Sequence, residues 1–397
     1  MKILCLFQKF SFSSSTIYLD LVRALSERGH ELFIVAGTTE KKDAGYLHTE
    51  DGIPTAYVNL PDQFHASPIR KGLIQLTIGR LFLKAVKRWF WSHKLDMIIY
   101  PTPPITLAGV LKPFKRHFGA VNYLMLKDIF PQNAVDLGMM KQGGALHSYF
   151  RHMEKSLYCN SDRIGCMSEG NLLYVKEHYP FIQEKKLELF PNTVAVKPLG
   201  IPPEAGTENS VRPLTFIVGG NLGKPQAIGF ILSCIGELGD DDNIEFIFIG
   251  DGTEFSKVQN YISEQKGKHI ELHKELPRRE YEALLDKCDI GVVSLDSRFT
   301  IPNYPSRTLS YMQMAKPMLA ITDEVTDIRE LITEKACCGW WCPSNDSKKA
   351  VDKIREIEKN RQLIAEYGRN GRKYLEEHFS VARSVEILEN AVIRGSE

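Results

Sequence analysis

The sequence lacks the features expected of a membrane-spanning, secreted or nucleic-acid-binding protein. Its 397 residues contain no apolar run of the roughly 18 residues that a transmembrane helix needs. The formal net charge is only +1 at pH 7, which argues against a general nucleic-acid binder. The apolar start, MKILCLF, is too short for a signal peptide and predicts a first strand instead. We therefore expect a cytoplasmic globular protein.

Cysteine is present but does not form the pattern of a metal site. Eight cysteines are scattered along the chain, several of them inside apolar runs, which is typical of buried thiols in a reducing compartment. Cys337, Cys338 and Cys342 lie close together, but no second Cys or His pair completes a zinc site. The sequence predicts no metal.

The pattern of strands and helices predicts two domains. Residues 2–7 form an apolar strand pattern, residues 16–28 have helical spacing and residues 31–36 form the next strand, which is the opening of a doubly wound parallel sheet. After a linker at 196–211, rich in Pro, Gly, Glu and Asn, the alternation restarts. The predicted domains are residues 1–195 and 196–378, with a further helix at 379–397. Two more helix-and-strand units are expected after the strand at 318–321.

The segment 297–317 is the centre of the second half. It follows the apolar strand pattern at 290–295, and Pro302 and Pro305 prevent a helix from starting before Ser306 or Arg307. Free N–H groups at such a helix start, together with Ser306, Arg307 and Thr308, predict a site for a phosphate. An ordinary capped core helix is the alternative.

Other strands of the second half end in similar loops. The glycine-rich loop 219–224 follows one strand, and Lys224 could neutralise a phosphate there, although the spacing fits neither a Walker loop nor the dinucleotide fingerprint. A second strand ends in the loop 250–252, and a third is followed by residues 273–276. Because parallel strands end at one edge of a sheet, these loops could converge with residues 305–308 on one nucleotide.

Polar residues also follow strands of the first half. Residues 8–15 form a loop after the first strand, and a rigid loop of three prolines begins at Pro101. Lys127 and Asp128 follow the strand at 121–126, where an α/β enzyme would keep polar chemistry. For residues 8–15 the alternative is a plain connection. For Lys127 and Asp128 the alternative is an acidic helix cap.

One long stretch has no carboxylate. Between Gln63 and Leu95 there is no Asp or Glu, and seven cations lie at Arg70, Lys71, Arg80, Lys84, Lys87, Arg88 and Lys94. The stretch 70–94 has an apolar stripe at helical spacing and ends in Trp89, Phe90 and Trp91, a pattern typical of a helix on anionic lipid. A core helix with a basic outer face is the alternative.

Several segments together resemble a known family. They are RALSERGHELFIVAG, PTPPITLAG, KDIFPQNAVDLGM and FPNT in the first half, and GGNLGKPQ, FIGDG, PSRTLSYMQMAKPMLA and EEHFS in the second. In combination they resemble family 4 glycosyltransferases of the GT-B fold, in particular the bacterial O-antigen and capsule subgroup that includes N-acetyl-L-fucosamine transferases. The resemblance implies an α/β fold with two Rossmann-like doubly wound domains facing a cleft, and a C-terminal helix that crosses back to the first domain.

The resemblance also implies roles for individual residues. Asp128, Lys224 and Arg307 would be the catalytic group, without a metal or other cofactor. Phe12, Ser13, Ser14, Pro103 and Lys127 would face the acceptor. The nucleotide-sugar would contact Gly220, Asn221, Gly250, Asp251, Gly252, His273, Lys274, Leu276, Pro305, Ser306, Thr308 and Ser310.

The sequence departs from the family pattern in four places. Ser310 stands where many members carry the Glu that binds the donor ribose, and Pro302 stands at the earlier Glu of the same motif. Phe12, Ser13 and Ser14 replace the Gly-Gly pair that often follows strand one, and Ala315 replaces a Gly. A hydroxyl binds ribose less firmly than a carboxylate, since charge-assisted hydrogen bonds are roughly twice as strong.

The resulting hypothesis is a retaining enzyme that moves a sugar from a UDP-sugar, with N-acetylated sugars as one option, to a polyprenyl-diphosphate-linked saccharide in surface polysaccharide biosynthesis. It would lie in the cytoplasm, peripheral on the inner face of the plasma membrane, with no nucleic-acid partner. A non-catalytic GT-B partner with an eroded donor site and a sugar-nucleotide epimerase are the alternatives. The sequence does not identify the sugar, the acceptor, the linkage or the oligomeric state.

Overall fold

In the computed structural model the chain divides into two units. The first contains Met1–Ala195 and Val381–Glu397, and the second contains Val196–Ser380. The residues that the structure describes are 1–13, 17–40, 42–60, 68–199, 212–239, 243–264 and 270–395, without the side chains of 68–74 and 395. Ser14, the side chains of Arg70 and Lys71, and most of the predicted linker lie outside them.

An eight-stranded sheet forms the centre of the first unit. Its strands are β1 (Lys2–Phe7), β2 (Glu31–Thr38), β3 (Leu47–Glu50), β4 (Ile53–Asn59), β5 (Met97–Pro101), β6 (Val121–Leu126), β7 (Arg163–Cys166) and β8 (Leu187–Leu189). Their order is β3-β4-β2-β1-β5-β6-β7-β8, with β3 antiparallel to β4 and the other pairs parallel. The strand order reverses between β1 and β5, so the loops after these two strands meet at a topological switch point.

Helices cover both faces of this sheet. They are α1 (Ile17–Glu27), α2 (Pro68–Trp89), α3 (Ala108–Phe118), α4 (Gln132–Asp136), α5 (Ala145–Asn160) and α6 (Glu169–His178). The inward residues of β1, which include Ile3 and Cys5, pack with Leu21 and Leu25 of α1 in one apolar cluster. On the other face α2 packs on α3, and α3 packs on α5.

The second unit contains a six-stranded parallel sheet. Its strands are β9 (Leu214–Asn221), β10 (Ile244–Asp251), β11 (Ile270–His273), β12 (Ile290–Ser294), β13 (Met318–Thr322) and β14 (Gly339–Pro343), in the order β11-β10-β9-β12-β13-β14. All five pairs are parallel. The order reverses between β9 and β12, which places the switch point of this sheet at the loops 219–224 and 295–306. The predicted α/β class with two doubly wound sheets is confirmed.

The helices of the second unit are α7 (Ile228–Gly236), α8 (Phe255–Glu264), α9 (Arg278–Lys287), α10 (Arg307–Gln313), α11 (Ile328–Glu330), α12 (Ser347–Lys359) and α13 (Leu363–His378). The prediction of two more helix-and-strand units after residues 318–321 is wrong, because the only described strand after β13 is β14. In α12 the buried residues are Ala350, Val351, Ile354 and Ile357. This spacing is that of one helix face and cannot form a buried strand.

The last helix, α14 (Val381–Gly395), belongs to the first unit. Its residues Val385, Leu388 and Ala391 are buried in the same cluster as α1. The hydroxyls of Thr193 and Ser384 lie 2.7 Å apart, which fixes the start of α14 beside the end of the first stretch of chain. None of the helices in the described residues has the length and apolarity that a membrane span requires.

Candidate functional site

Two loops of the second unit are locked together at the carboxyl ends of β9 and β10. Gly250 is opposite Gly220 in the strand register, and a Cβ placed on Gly250 would lie 1.8 Å from the Gly220 carbonyl oxygen. The Leu222 N–H donates to the Asp251 carbonyl at 2.9 Å. Because only a glycine permits this backbone approach, the loops 219–224 and 250–252 form one surface.

The Arg307 guanidinium lies against this surface. A Cβ built on Gly220, whose φ is +102°, would lie 3.7 Å from Arg307 Nη2. The Nη1 atom of Arg307 is buried and has no hydrogen-bond partner in the described part of the chain. Burial lowers the pKa of the guanidinium, and no carboxylate is among the groups that act on it. An unpaired buried cation costs stability, so this arrangement is expected where an anionic ligand binds.

Tyr311 fixes the floor under Arg307. Its hydroxyl accepts from the Gly219 N–H at 3.3 Å and lies 3.2 Å from the Ile217 carbonyl and 3.3 Å from the Val292 carbonyl. The ring fills the space that a side chain at Gly291 would need, since a Cβ there would lie 2.4 Å from the ring. Tyr311 thereby ties α10 to β9 and β12, the two strands of the switch point.

Two tyrosines beside the arginine were not predicted from the sequence. Tyr311 belongs to the buried face of α10, and Tyr281 of α9 has its hydroxyl 3.0 Å from a Cβ built on Gly219. Both lie close enough to the Arg307 guanidinium to influence its pKa, although burial has the larger effect. In the sequence these tyrosines have helical spacing and are indistinguishable from core aromatics, so only the fold reveals them.

The other predicted donor residues surround the same edge of the sheet. Thr308 is buried, and its Oγ1 has no hydrogen-bond partner in the described residues. Ser306 is exposed, and Pro305 and Ser310 are partly exposed. The side chains of Asn221 and Lys224 are exposed on the first loop, and Asp251 Oδ1 accepts from the Gly252 N–H at 2.7 Å. The structure therefore brings together the residues predicted on β9, β10 and α10.

The predicted base-binding residues follow a strand two places away from β9. His273, Lys274 and Leu276 come at the end of β11, which is the edge strand and pairs with β10. His273 Nε2 lies 3.2 Å from Glu271 Oε2. These residues share the carboxyl edge of the sheet with Arg307.

The first unit has a polar pair at the end of β6. The N–H groups of Lys127 and Asp128 donate to Thr102 Oγ1 at 3.0 and 3.2 Å, which fixes the start of the following loop. Burial raises the pKa of Asp128 to about 7 and lowers the pKa of Lys127 to about 7. Lys127 Nζ lies 5.1 Å from the centre of the Phe190 ring. Each of these two side chains is thus shifted towards its neutral form by burial.

The remaining residues predicted to face the acceptor lie at the switch point of the first sheet. Phe12 packs edge-on against Phe10 at 5.0 Å, the hydroxyl oxygens of Ser13 and Ser11 lie 2.7 Å apart, and Pro103 is exposed. The Asp128 carboxylate acts electrostatically on Tyr18 of α1, which belongs to the same region. The loops after β1, β5 and β6 thus contribute to one edge of the sheet.

Replacing Asp128 with Asn should stabilise the protein, and more so at high pH. The unfolded chain releases this proton near pH 4, whereas the folded protein keeps it to about pH 7, so folding takes up a proton and stability falls as pH rises through this window. The Asn variant escapes this loss, which is on the order of 2 kcal/mol for a partly exposed group. The melting temperatures of wild type and Asp128→Asn, measured at pH 4.5 and pH 8, test this prediction.

The exposed carboxylate of Glu177 provides the control for this experiment. Glu177→Gln lies in the same unit and should change the melting temperature little at either pH. An equal effect of Asp128→Asn at both pH values would show that Asp128 ionises normally.

The basic stretch 70–94 forms most of α2, and its apolar stripe is part of the core. Ile78, Phe82, Val86 and Phe90 are buried, while the cations Arg80, Lys84, Lys87 and Arg88 are exposed. The closing aromatics pack on protein, since Trp91 stacks on His117 at 3.7 Å and Trp89 lies under Arg88 at 4.7 Å. The helix therefore presents a charged outer face, with Trp89 and Trp91 half-buried at its end.

The fold places this chain in the GT-B class. Sucrose-phosphate synthase of Thermosynechococcus elongatus superposes with a TM-score of 0.77 at 15% identity, covering 99% of this chain and 100% of that one. HepE of Anabaena in complex with UDP superposes with a TM-score of 0.66 at 13% identity, over 99% of this chain and 100% of that one. These similarities establish the GT-B fold, which was predicted.

The sequence comparisons define the chain further. Residues 207–374 match the family described as glycosyl transferases group 1. The probable glycosyltransferase WbjE of Pseudomonas aeruginosa is 27% identical over 330 residues, which are 80% of this chain and 79% of that protein. The second half of the chain is thus a group 1 glycosyltransferase domain, and the protein is a glycosyltransferase.

Proposed function

We propose that the enzyme transfers a sugar, with retention of anomeric configuration, from a UDP-sugar to a lipid-diphosphate-linked saccharide in surface polysaccharide biosynthesis. The observation that carries the donor half of this proposal is the Arg307 guanidinium beside Gly220, whose buried Nη1 has no hydrogen-bond partner among the described residues. A diphosphate is a ligand of matching charge, and it is also the leaving group of the reaction. UDP is favoured because the HepE structure contains UDP.

Catalysis in this proposal is electrostatic. Negative charge grows on the departing diphosphate, and Arg307, supported by Lys224, would stabilise it without an obligate metal. The buried surroundings strengthen the interaction because few water molecules screen it. Ser310 replaces the carboxylate of the family pattern, and a weaker ribose contact would place more of the donor binding on Arg307.

Asp128 is proposed to orient the acceptor hydroxyl. Since burial raises its pKa to about 7, the carboxyl can accept a hydrogen bond when ionised and donate one when protonated. Lys127, whose pKa is lowered to about 7, provides a second group that need not be charged. Such a pair suits a neutral sugar hydroxyl better than an anionic one.

A lipid-linked acceptor agrees with the charge of one face of the first unit. The helices α2 and α3 contain no Asp or Glu, and their exposed cations include Arg80, Lys84, Lys87, Lys112 and Arg116. Anionic lipid attracts such a surface with about 1 kcal/mol for each cation near it. We propose that this face brings the enzyme to the inner face of the plasma membrane.

A thermal-shift screen against UDP, GDP, ADP, CMP and TDP tests the donor proposal. A nucleotide present at a hundred times its dissociation constant should stabilise the protein by about 2.7 kcal/mol. We expect a rise in melting temperature with UDP alone, followed by larger effects within a panel of UDP-sugars. If no nucleotide raises the melting temperature, the donor site is not functional and the proposal is wrong.

The stereochemistry needs its own measurement. Once a UDP-sugar and an acceptor are found, the proton coupling at the anomeric carbon of the product gives its configuration. Inversion relative to the donor would refute retention and leave the donor assignment intact.

A further inference from the structure

Large apolar side chains are exposed in a short segment of the first unit. Met139 is 66% exposed, Leu146 59% and Tyr149 41%, all within the eleven residues 139–149. The segment includes the turn at Gly143, which has φ +74°, and the first turn of α5. Single exposed apolar residues are normal, whereas several together rimmed by polar groups mark an interaction surface.

The first turns of α5 carry apolar residues that the fold leaves exposed. The helix buries Phe150, Glu154, Leu157 and Tyr158, which have the spacing of one face. Leu146 precedes Phe150 by four residues, so it continues this stripe towards the start of the helix, where it is exposed. Tyr149 lies beside the stripe and is also exposed. The apolar face of α5 therefore extends beyond the part that the described residues cover.

The charge around the exposed residues has one sign. No Asp or Glu occurs from Leu137 to Met153, and the cationic or titratable side chains there are Lys141, His147, Arg151 and His152. The Arg151 guanidinium is paired with the buried Glu154, so its charge is compensated. Since α3 packs on α5, the segment belongs to the same group of helices as the basic helices α2 and α3.

The segment is also connected to the predicted acceptor side. Phe130, two residues after Asp128, packs edge-on against Phe150 of α5 with ring centres 4.9 Å apart. Residues 139–149 therefore belong to the structure that follows the end of β6. A membrane contact at this point would hold the Asp128 loop near the bilayer surface.

We propose that residues 139–149 insert into the interface of an anionic lipid bilayer, with Met139, Leu146 and Tyr149 in the acyl boundary and Lys141 at the headgroups. The inference rests on the proposed lipid-linked acceptor, and it assigns the surface through which the enzyme docks on the membrane that holds this acceptor. The helices α2 and α3 supply long-range attraction, and the apolar segment supplies the part of the binding that salt does not screen.

Two measurements on the full-length protein test the insertion. On vesicles of phosphatidylglycerol and phosphatidylethanolamine, the tryptophan introduced by Tyr149→Trp should add blue-shifted fluorescence to that of wild type. Lipids brominated on the acyl chains should quench this added fluorescence. Leu146→Ser should weaken sedimentation with these vesicles about tenfold, and part of the wild-type binding should persist in 1 M salt. Leu173→Ser, at a residue that is 55% exposed on α6, should bind vesicles as wild type does.

The outcomes separate the inference from the proposed function. Wild type and Tyr149→Trp could both bind vesicles while brominated lipids fail to quench the introduced indole. This result would overturn the insertion, and attachment through α2 and α3 would remain. No vesicle binding at all would overturn both lipid proposals, while the stabilisation by UDP would still report the donor site. A dimer in sedimentation equilibrium that Leu146→Ser dissociates would show that a second copy covers the segment, which also overturns the inference.

Discussion

Arg307→Ala should lower kcat by about 10²- to 10³-fold, the range found when a single donor to a developing negative charge is removed. The unpaired Nη1 and the contact with Gly220 place this guanidinium where the donor diphosphate is proposed to depart. The ligand-free variant should be at least as stable as wild type, because the substitution removes a cation whose buried Nη1 has no hydrogen-bond partner in the described part of the chain. Steady-state turnover and melting curves with and without UDP measure both effects.

Two further variants make this result specific. Arg307→Lys retains the charge but not the planar fork, so its activity should lie between those of wild type and the Ala variant. Arg369→Ala removes an exposed arginine of α13 in the same unit and should leave turnover unchanged. Near-normal turnover of Arg307→Ala would remove the diphosphate role, and a marked fall in its ligand-free stability would indicate a structural role instead.

Gly250→Ala should destabilise the second unit by about 3 kcal/mol or more. Its Cβ would lie 1.8 Å from the Gly220 carbonyl oxygen, and the φ of +142° is unfavourable for any residue with a side chain. The loops 219–224 and 250–252 would have to separate, so stabilisation by UDP should be lost as well. For a unit of this size we expect a fall in melting temperature of about 6–12 °C.

Gly109→Ala is the matched control for this substitution. Gly109 lies in α3, where a Cβ would have no atom within 4 Å, and alanine favours a helix by about 1 kcal/mol over glycine. Its melting temperature should be equal to or above that of wild type. A Gly250→Ala protein with normal melting and normal UDP binding would show that the two loops are not locked.

Much of the fold could be predicted because buried parallel strands are apolar runs. The segments Lys2–Phe7 and Ile290–Ser294 are buried almost throughout, and each is bounded by polar loops. The hairpin of β3 and β4 was not predicted, although Asp51 and Gly52 provide its turn with φ of +51° and +77°. β3 is a short edge strand with exposed residues, and its apolar pattern is therefore weak.

The candidate site was predictable where chemistry and spacing coincide. Arg307 and the glycines of the loops 219–224 and 250–252 follow strands at positions that a doubly wound sheet brings to one edge. The basic stretch shows the limit of this reasoning. Its apolar stripe has the spacing of a helix that lies on lipid, but Ile78, Phe82 and Val86 are buried in the protein.

The sequence by itself determined the strand-and-helix alternation, the two-domain organisation and the loops that carry the polar residues, because these depend on the local spacing of apolar and turn residues. Only the tertiary structure decided that Arg307 Nη1 has no partner among the described residues, that Tyr281 and Tyr311 surround it, and that Leu146 and Tyr149 lack cover. These properties depend on which side chains from distant segments reach the same place, and local spacing carries no information about that.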